Sequence, residues 1–337
     1  MKKCILSFLL SCLVIITNAQ EQDPKEAAKT FIRSGDYTNA IGVLNRALQK
    51  DPNNLEMQKD LAFAYYLHRD YAKALEIAKG FPARKDVDVQ AYQILGMAYK
   101  AVEKRKDAEQ MYEAALKKFP MSGPLYNEYG ELLWAKKDFA IAAKTWEKGI
   151  ETDPNYPGNY YNVAKFYFYS VDKIWGLIYG EMFVNLESYS QRTVEIKTLV
   201  LEGYKKLFSE DNMVKHQNMK NEFVKSVIET LSKHSAAINI GITTETLTAL
   251  RTKFILDWYE KNAARFPFRL FDLHRQLLKN GMFDAYNQWL FGAAENLMAY
   301  QTWVSSHTEE NDEFIKLHKN RLFKVPIGQY YQNVPVK

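Results

Sequence analysis

The sequence predicts an all-α protein: a solenoid of about five helical hairpins followed by a further helical region. Three observations predict it. A small residue recurs at two fixed places in each repeat, with a period of about 34 residues. A polar turn phrase, "GDYTNA" at positions 35–40, returns in the same frame at 69–74 as "RDYAKA" and at 137–142 as "KDFAIA". Beyond the repeats, apolar stripes of helical period continue almost to the C-terminus.

The first segment is not part of that array. Lys2 and Lys3, an apolar run from Cys4 to Ile16, and Thr17-Asn18-Ala19 have the anatomy of a secretory signal peptide cut after Ala19. Cleavage removes Cys4 and Cys12, so neither a disulfide nor a thiol nucleophile is expected in the mature chain. Leu9-Leu10-Ser11-Cys12 also fits a bacterial lipoprotein box whose cysteine is acylated. Against that reading, the apolar stretch before Cys12 is very short and Leu13 to Ile16 continue it. The expectation is therefore a periplasmic or secreted protein, with lipid anchoring through Cys12 as the lesser alternative.

No later stretch reaches the roughly 18 uninterrupted apolar residues of a membrane span. The chain carries 45 basic and 40 acidic residues, a net charge of +5 that becomes +3 once Lys2 and Lys3 are removed. This balance argues against nucleic acid as a partner. With 47% hydrophobic and 25% charged residues the composition is globular, and the 14% aromatic content needs a place to pack.

Repeat frames set at residues 21, 55, 89, 123 and 157 run without insertion. Their eighth positions are Ala28, Ala62, Gly96, Gly130 and Ala164, and their twentieth are Ala40, Ala74, Ala108, Ala142 and Gly176. If Ala and Gly fill about 15% of positions, ten in ten arises by chance on the order of 10⁻⁸ of the time. Two helices approach closely only where each presents a small side chain, which makes these positions the predicted helix crossings. Bulk returns at the eleventh position as Phe31, Tyr65, Tyr99, Leu133 and Tyr167. Gly35-Asp36, Arg69-Asp70 and Lys137-Asp138 break one helix, and the aspartate caps the next. Pro52, Pro120 and Pro154 close repeats one, three and four.

This pattern resembles the tetratricopeptide-repeat family, whose unit is a helix–turn–helix, over about 170 residues. Repeats two and five depart from it. Both lack the closing proline and exchange sizes, as Ala78 with Phe81 and Gly180 with Phe183, where repeat four has Trp146 with Gly149. The exchange reads as compensated packing, and Gly180 marks repeat five as the weakest unit.

The expected organisation is a signal peptide over 1–19, the repeats over 20–190 and a helical region over 191–337 with an irregular tail from 325. In that last region Thr243 is an expected N-cap, and Leu247, Leu250, Phe254 and Trp258 form one stripe. Asn280-Gly281 stops a helix, and Ser306 with Glu309 can form a capping box. These helices are expected to cover the apolar end of repeat five.

Catalytic patterns are absent: the sequence has no HExxH, no phosphate-binding glycine loop and no GxSxG. No two of His68, His216, His234, His274, His307 and His318 stand three to five residues apart, so no metal or other cofactor is expected. The family resemblance implies a non-catalytic scaffold that binds a peptide or protein segment on the concave side, through positions 2, 5, 9, 12 and 13 of each first helix. Those positions include Lys29 and Arg33; Lys59, Phe63 and Tyr66; Met97 and Lys100; Asn127 and Trp134; and Tyr161, Lys165, Phe168 and Tyr169.

Lys25, Gln93 and Glu131 share the same positions. Aromatic faces among cations suit an extended segment with acidic and apolar side chains. The alternative is a carbohydrate-binding accessory stacking sugars on Tyr66, Trp134, Tyr161 and Tyr169. A third possibility is that the C-terminal helices or the Tyr330-Tyr331 tail fill the groove. The two-carboxylate clamp known in the family is excluded, because of Lys25, Lys29, Asp60, Gln90 and Ile94 only Lys25 matches it.

Overall fold

The computed structural model describes residues 23–209, 213–215 and 217–332. The signal segment, with both cysteines, lies outside them. Every regular element among the described residues is helical, as expected. The chain divides into two compact units, one up to Lys104 and one from Arg105, a division that does not coincide with the expected boundary near 190.

In the first unit α1 (Pro24–Arg33) pairs with α2 (Tyr37–Lys50), α3 (Leu55–Leu67) with α4 (Tyr71–Ala78), and α5 (Val89–Ala101) follows. The turn phrase does what its chemistry predicts. Gly35 and Arg69 take positive φ of 79° and 65°, ending each first helix. Asp36 and Asp70 then accept from the backbone N–H groups of Asn39 and Lys73. One core cluster joins α1, α2 and α3 through Ala28, Ala40, Leu44, Leu61 and Ala64, flanked by Phe31 and Tyr65.

Repeat two departs from the expected hairpin. Its second helix stops after eight residues, because Gly80 and Pro82 cannot continue it, and Phe81 is buried from a short 3₁₀ turn instead. Arg84 holds the freed loop by donating to Asp86 at 2.9 Å and to the carbonyl of Asn53 at 2.6 Å.

The second unit begins with α6 (Arg105–Lys118) and the hairpins α7 (Gly123–Ala135) with α8 (Phe139–Thr152) and α9 (Pro157–Tyr169) with α10 (Lys173–Leu186). All ten small positions, across both units, are buried. At Gly130 the reason is explicit: a Cβ there would lie 2.2 Å from Trp146 Nε1, which donates to the carbonyl of Asn127 at 3.1 Å.

Gly180 has the same kind of role, which corrects the reading of repeat five as weak. A Cβ at Gly180 would lie 2.6 Å from Val200 of α11 (Gln191–Ser209), so the glycine admits that helix, and α10 is buried along almost its whole length. Helix α11 opens at Gln191, one repeat period after Pro157 opens α9, and it packs on both α9 and α10. The repeat spacing therefore persists for one helix beyond the fifth hairpin.

Helices α12 (Glu222–Lys233), α13 (Thr244–Lys261), α14 (Arg269–Lys279) and α15 (Phe283–Asn287) follow. A π-turn over 288–292 leads into α16 (Ala293–Glu295), α17 (Leu297–Ser306) and α18 (Thr308–Asn320). Thr243 caps α13 through a reciprocal box with Thr246, and the four stripe residues of α13 are buried. The box expected at Ser306 and Glu309 does not form. Ser306 ends α17 with its hydroxyl bonded back to the carbonyls of Thr302 and Trp303.

The segment 321–332 crosses this unit as an extended strap. Asn155 exchanges hydrogen bonds of 2.9 and 3.0 Å with the backbone of Val325, and Tyr331 stacks on Phe223 at 4.8 Å.

Candidate functional site

The thirteen expected contact residues separate into those the fold uses internally and those it leaves available. Lys59 is only 1% exposed, and its ammonium lies 2.5 Å from both Glu56 and Asp88, the latter being the cap of α5. Burial opposes its charge, but these two carboxylates outweigh that and raise the pKa. Asn127 is also buried. It donates to Glu131 at 2.9 Å and accepts from Asn162 at 2.9 Å, a bridge between successive first helices.

Phe168 is buried beneath Lys206 of α11, whose ammonium sits 4.0 Å from the ring centroid. Tyr161 donates to Glu195 at 2.6 Å, and Lys165 pairs with the same carboxylate at 2.7 Å. The Arg192 guanidinium lies 4.9 Å from the Tyr161 ring. Helix α11 therefore closes the first-helix face of repeat five. Lys59, Asn127 and Phe168 are corrected from ligand contacts to structural ones, and Tyr161 and Lys165 already have partners.

In the first unit Arg33 is exposed, Lys29 is half-buried and pairs with Glu26 at 3.1 Å, and Phe63, Tyr66, Met97 and Lys100 are half-buried. In the second unit Trp134 and Tyr169 are exposed, at 41% and 73%. Trp134 sits where α7, α8 and α9 meet, with ring centroids 4.6 Å from Phe139, 5.8 Å from Trp146 and 6.5 Å from Phe166. Phe139 is itself 43% exposed. Phe139 and Phe166 were missed because the positional pattern counted only five places on each first helix, whereas Phe139 opens the second helix.

Among the described residues the strap reaches the edge of this cluster and leaves Trp134 and Phe139 exposed: Gln332 donates to the hydroxyl of Tyr167 at 2.5 Å, whose ring lies 5.2 Å from Phe166, and Tyr331 donates to the carbonyl of Pro267 at 2.7 Å.

Two tetratricopeptide-repeat families match the chain, one over residues 31–97 and the other over 95–159, the stretch in which these helices pair. That stretch belongs to the tetratricopeptide-repeat family. Solved structures are similar to it over roughly half its length. TTC0263, a thermophilic TPR protein in Thermus thermophilus, aligns over 53% of this chain and 98% of its own, at 19% identity and a TM-score of 0.45. MamA aligns over 54% and 97%, at 21% identity and a TM-score of 0.38. Among curated proteins none matches. The tetratricopeptide-repeat fold is in general a protein–protein interaction scaffold.

The second unit also contains a buried polar network that the sequence did not reveal. Glu181 of α10 accepts from Arg251 of α13 and, at 2.7 Å each, from His274 of α14 and Tyr286 of α15. Arg251 donates in turn to Asn287. Burial opposes the Glu181 charge, but Arg251 and His274 outweigh it and hold the carboxyl at about 2. Burial pushes the His274 imidazole pKa down, and Glu181 pulls against that shift. The adjoining cavity of about 30 Å³ has room for a water molecule, and the network ties four helices together.

Glu147 of α8 behaves in the opposite way. Its carboxyl is buried, with Tyr167 donating to it at 2.5 Å, and burial pushes it up to about 7 despite that bond. Asp172 lies close by and is pushed up by burial to about 6. The native state therefore holds protons that the unfolded chain releases near pH 4.5. The stability Glu147 contributes is full below that value and is lost as pH rises through about 7; that of Asp172 is full below 3.8 and is lost through about 6. Glu147→Gln is expected to unfold at a higher temperature than the parent at pH 8, by up to about 3 kcal/mol in unfolding free energy, and to match it near pH 4.5. Thermal melts at the two pH values measure this directly.

Proposed function

We propose that this tetratricopeptide-repeat protein is a non-catalytic adaptor of the bacterial cell envelope that binds an extended peptide or protein segment on the first-helix faces of its repeats. Export, to the periplasm or the medium, is supported by the basic start, apolar run and small-residue end of residues 1–19.

The observation that carries the binding reading is the uncovered aromatic surface at Trp134, Phe139 and Tyr169. Trp134 and Phe139 stand together in the open and Tyr169 is exposed beside Phe168, although α11 and the strap bury comparable residues elsewhere in the same unit. Aromatic anchors of this type supply most of the energy at protein interfaces. With Lys59 and Lys165 neutralised internally, the contact in the second unit is apolar; in the first, Lys29 shares its charge with Glu26 and the exposed Arg33 is the cation left for an acidic segment.

A binding screen tests this. The mature protein is applied to an array of peptides from envelope proteins and to a glycan array. The reading predicts peptides that share an aromatic or branched apolar anchor, with added affinity from acidic residues that fades as salt rises. Recognition of glycans alone would contradict it. Tyr161, which a sugar-stacking mode requires, lies under Arg192 and beside Phe183.

A further inference from the structure

A second, chemically different recess lies in the unit from Arg105. It is a cleft of about 180 Å³ between the N-terminus of α13, the π-turn and α17. Gln288 and Gly292 form part of its lining, with Glu245 and Glu295 on the α13 side and Tyr300 and Trp303 on α17. Gly292 keeps it compact: a Cβ there would lie 2.6 Å from Tyr300 Cδ2 and 2.7 Å from Gln288 Oε1.

Gln288 is 7% exposed, yet its amide lines the cleft without a hydrogen bond to any described residue. The side chain is held by its surroundings while its amide stays open to the cleft, free to bond what enters it. Glu295 is fixed in place, since one carboxylate oxygen accepts from the Thr244 N–H at 2.5 Å and its hydroxyl at 2.6 Å. Glu245 stands exposed on the first turn of α13. Among the described residues no cation pairs with either carboxylate. The nearby Asp284 carboxyl is pushed up by burial, with Glu245 adding to the shift and His307 opposing it.

We infer that this cleft binds an arginine side chain of a partner protein, with the guanidinium between Glu245 and Glu295, its flat face on Trp303, and the Gln288 amide oxygen as a further acceptor. The planar fork of a guanidinium matches carboxylates and stacks on indole, which a compact ammonium does less well. One face of the Trp303 indole already stacks on His307, at 4.7 Å between centroids, so the guanidinium takes the other. Leu297 and Met298, 57% and 79% exposed on the first turn of α17, offer apolar contact to a residue next to the arginine.

The test uses the full chain and the probe peptide Ac-Gly-Arg-Leu-NH2, followed by NMR at the Gln288 side-chain amide and the Trp303 indole N–H. Both resonances are expected to shift. Replacing the arginine by citrulline, which keeps the shape and removes the charge, is expected to weaken binding at least tenfold. Glu245→Gln is expected to weaken it about tenfold, and Gln288→Met severalfold, both with unchanged far-UV circular dichroism. Equal binding of the citrulline peptide, no loss in Glu245→Gln, or no shift at millimolar arginine peptide would each overturn the inference. A neutral monosaccharide moving the same two resonances where the arginine peptide does not would also overturn it.

Discussion

Replacing Arg251 by methionine lowers the unfolding free energy by about 3–5 kcal/mol, because it leaves Glu181 charged in a closed apolar environment. Arg251 and Glu181 are 3% exposed each, and Arg251 contributes more than His274 to holding the carboxylate charged. His274 and the Tyr286 hydroxyl can still donate to Glu181, but burial opposes a charge on His274 and Tyr286 brings none. Removing both members, as Glu181→Met with Arg251→Met, recovers most of that loss, since apolar side chains of similar volume no longer need the pair. Chemical denaturation of the parent, the two single variants and the double variant completes the cycle. A double variant no more stable than Arg251→Met alone would mean that the network's geometry, and not its charge balance, holds the helices together.

Gly130→Val is the second large effect. The added branch would meet the Trp146 indole, displace it from the Asn127 carbonyl, and open the α7–α8 hairpin. Overpacking of this kind costs about 1–3 kcal/mol, and the lost hydrogen bond about 1 more. The better helix propensity of valine offsets only a few tenths. Gly42→Ala is the control, because in α2 only the tip of Arg46 approaches, at 3.7 Å. There the same kind of change stabilises by about 0.5–1 kcal/mol. Opposite signs for two helical glycines would separate close contact from propensity.

The parts legible in the sequence were those encoded locally and repeated. A crossing that needs a small side chain once on each helix of every repeat leaves the same mark five times over, and all ten marked residues are buried. Asp36 and Asp70 each cap a helix within three residues of themselves, so their role is readable without the rest of the chain; Asp138, expected to do the same, starts α8 without a side-chain cap and faces Lys136 at 3.4 Å instead. Long-range pairings left no such mark. Glu181 finds Arg251 and His274 some 70 and 93 residues away, and Lys59 finds Asp88 across a loop whose shape depends on where α4 stops.

That stop could have been read, since Gly80 and Pro82 break a helix by themselves. Site assignment was weaker than fold assignment for a related reason. Positions 2, 5, 9, 12 and 13 identify a helix face, but whether that face meets solvent depends on the next helix. Helix α11 covers Tyr161, Lys165 and Phe168, and only Trp134 and Tyr169 stay open in that unit.

The measurement that tests the binding surface most directly is the affinity of a peptide selected on the array, determined by titration calorimetry for the parent, Trp134→Ala and Leu256→Ala. Leu256 is 64% exposed on α13, outside the proposed surface. Trp134→Ala is predicted to weaken binding at least tenfold, as expected for an aromatic anchor, and Leu256→Ala to stay within twofold. Equal affinities for Trp134→Ala and the parent would contradict the assignment of recognition to this face.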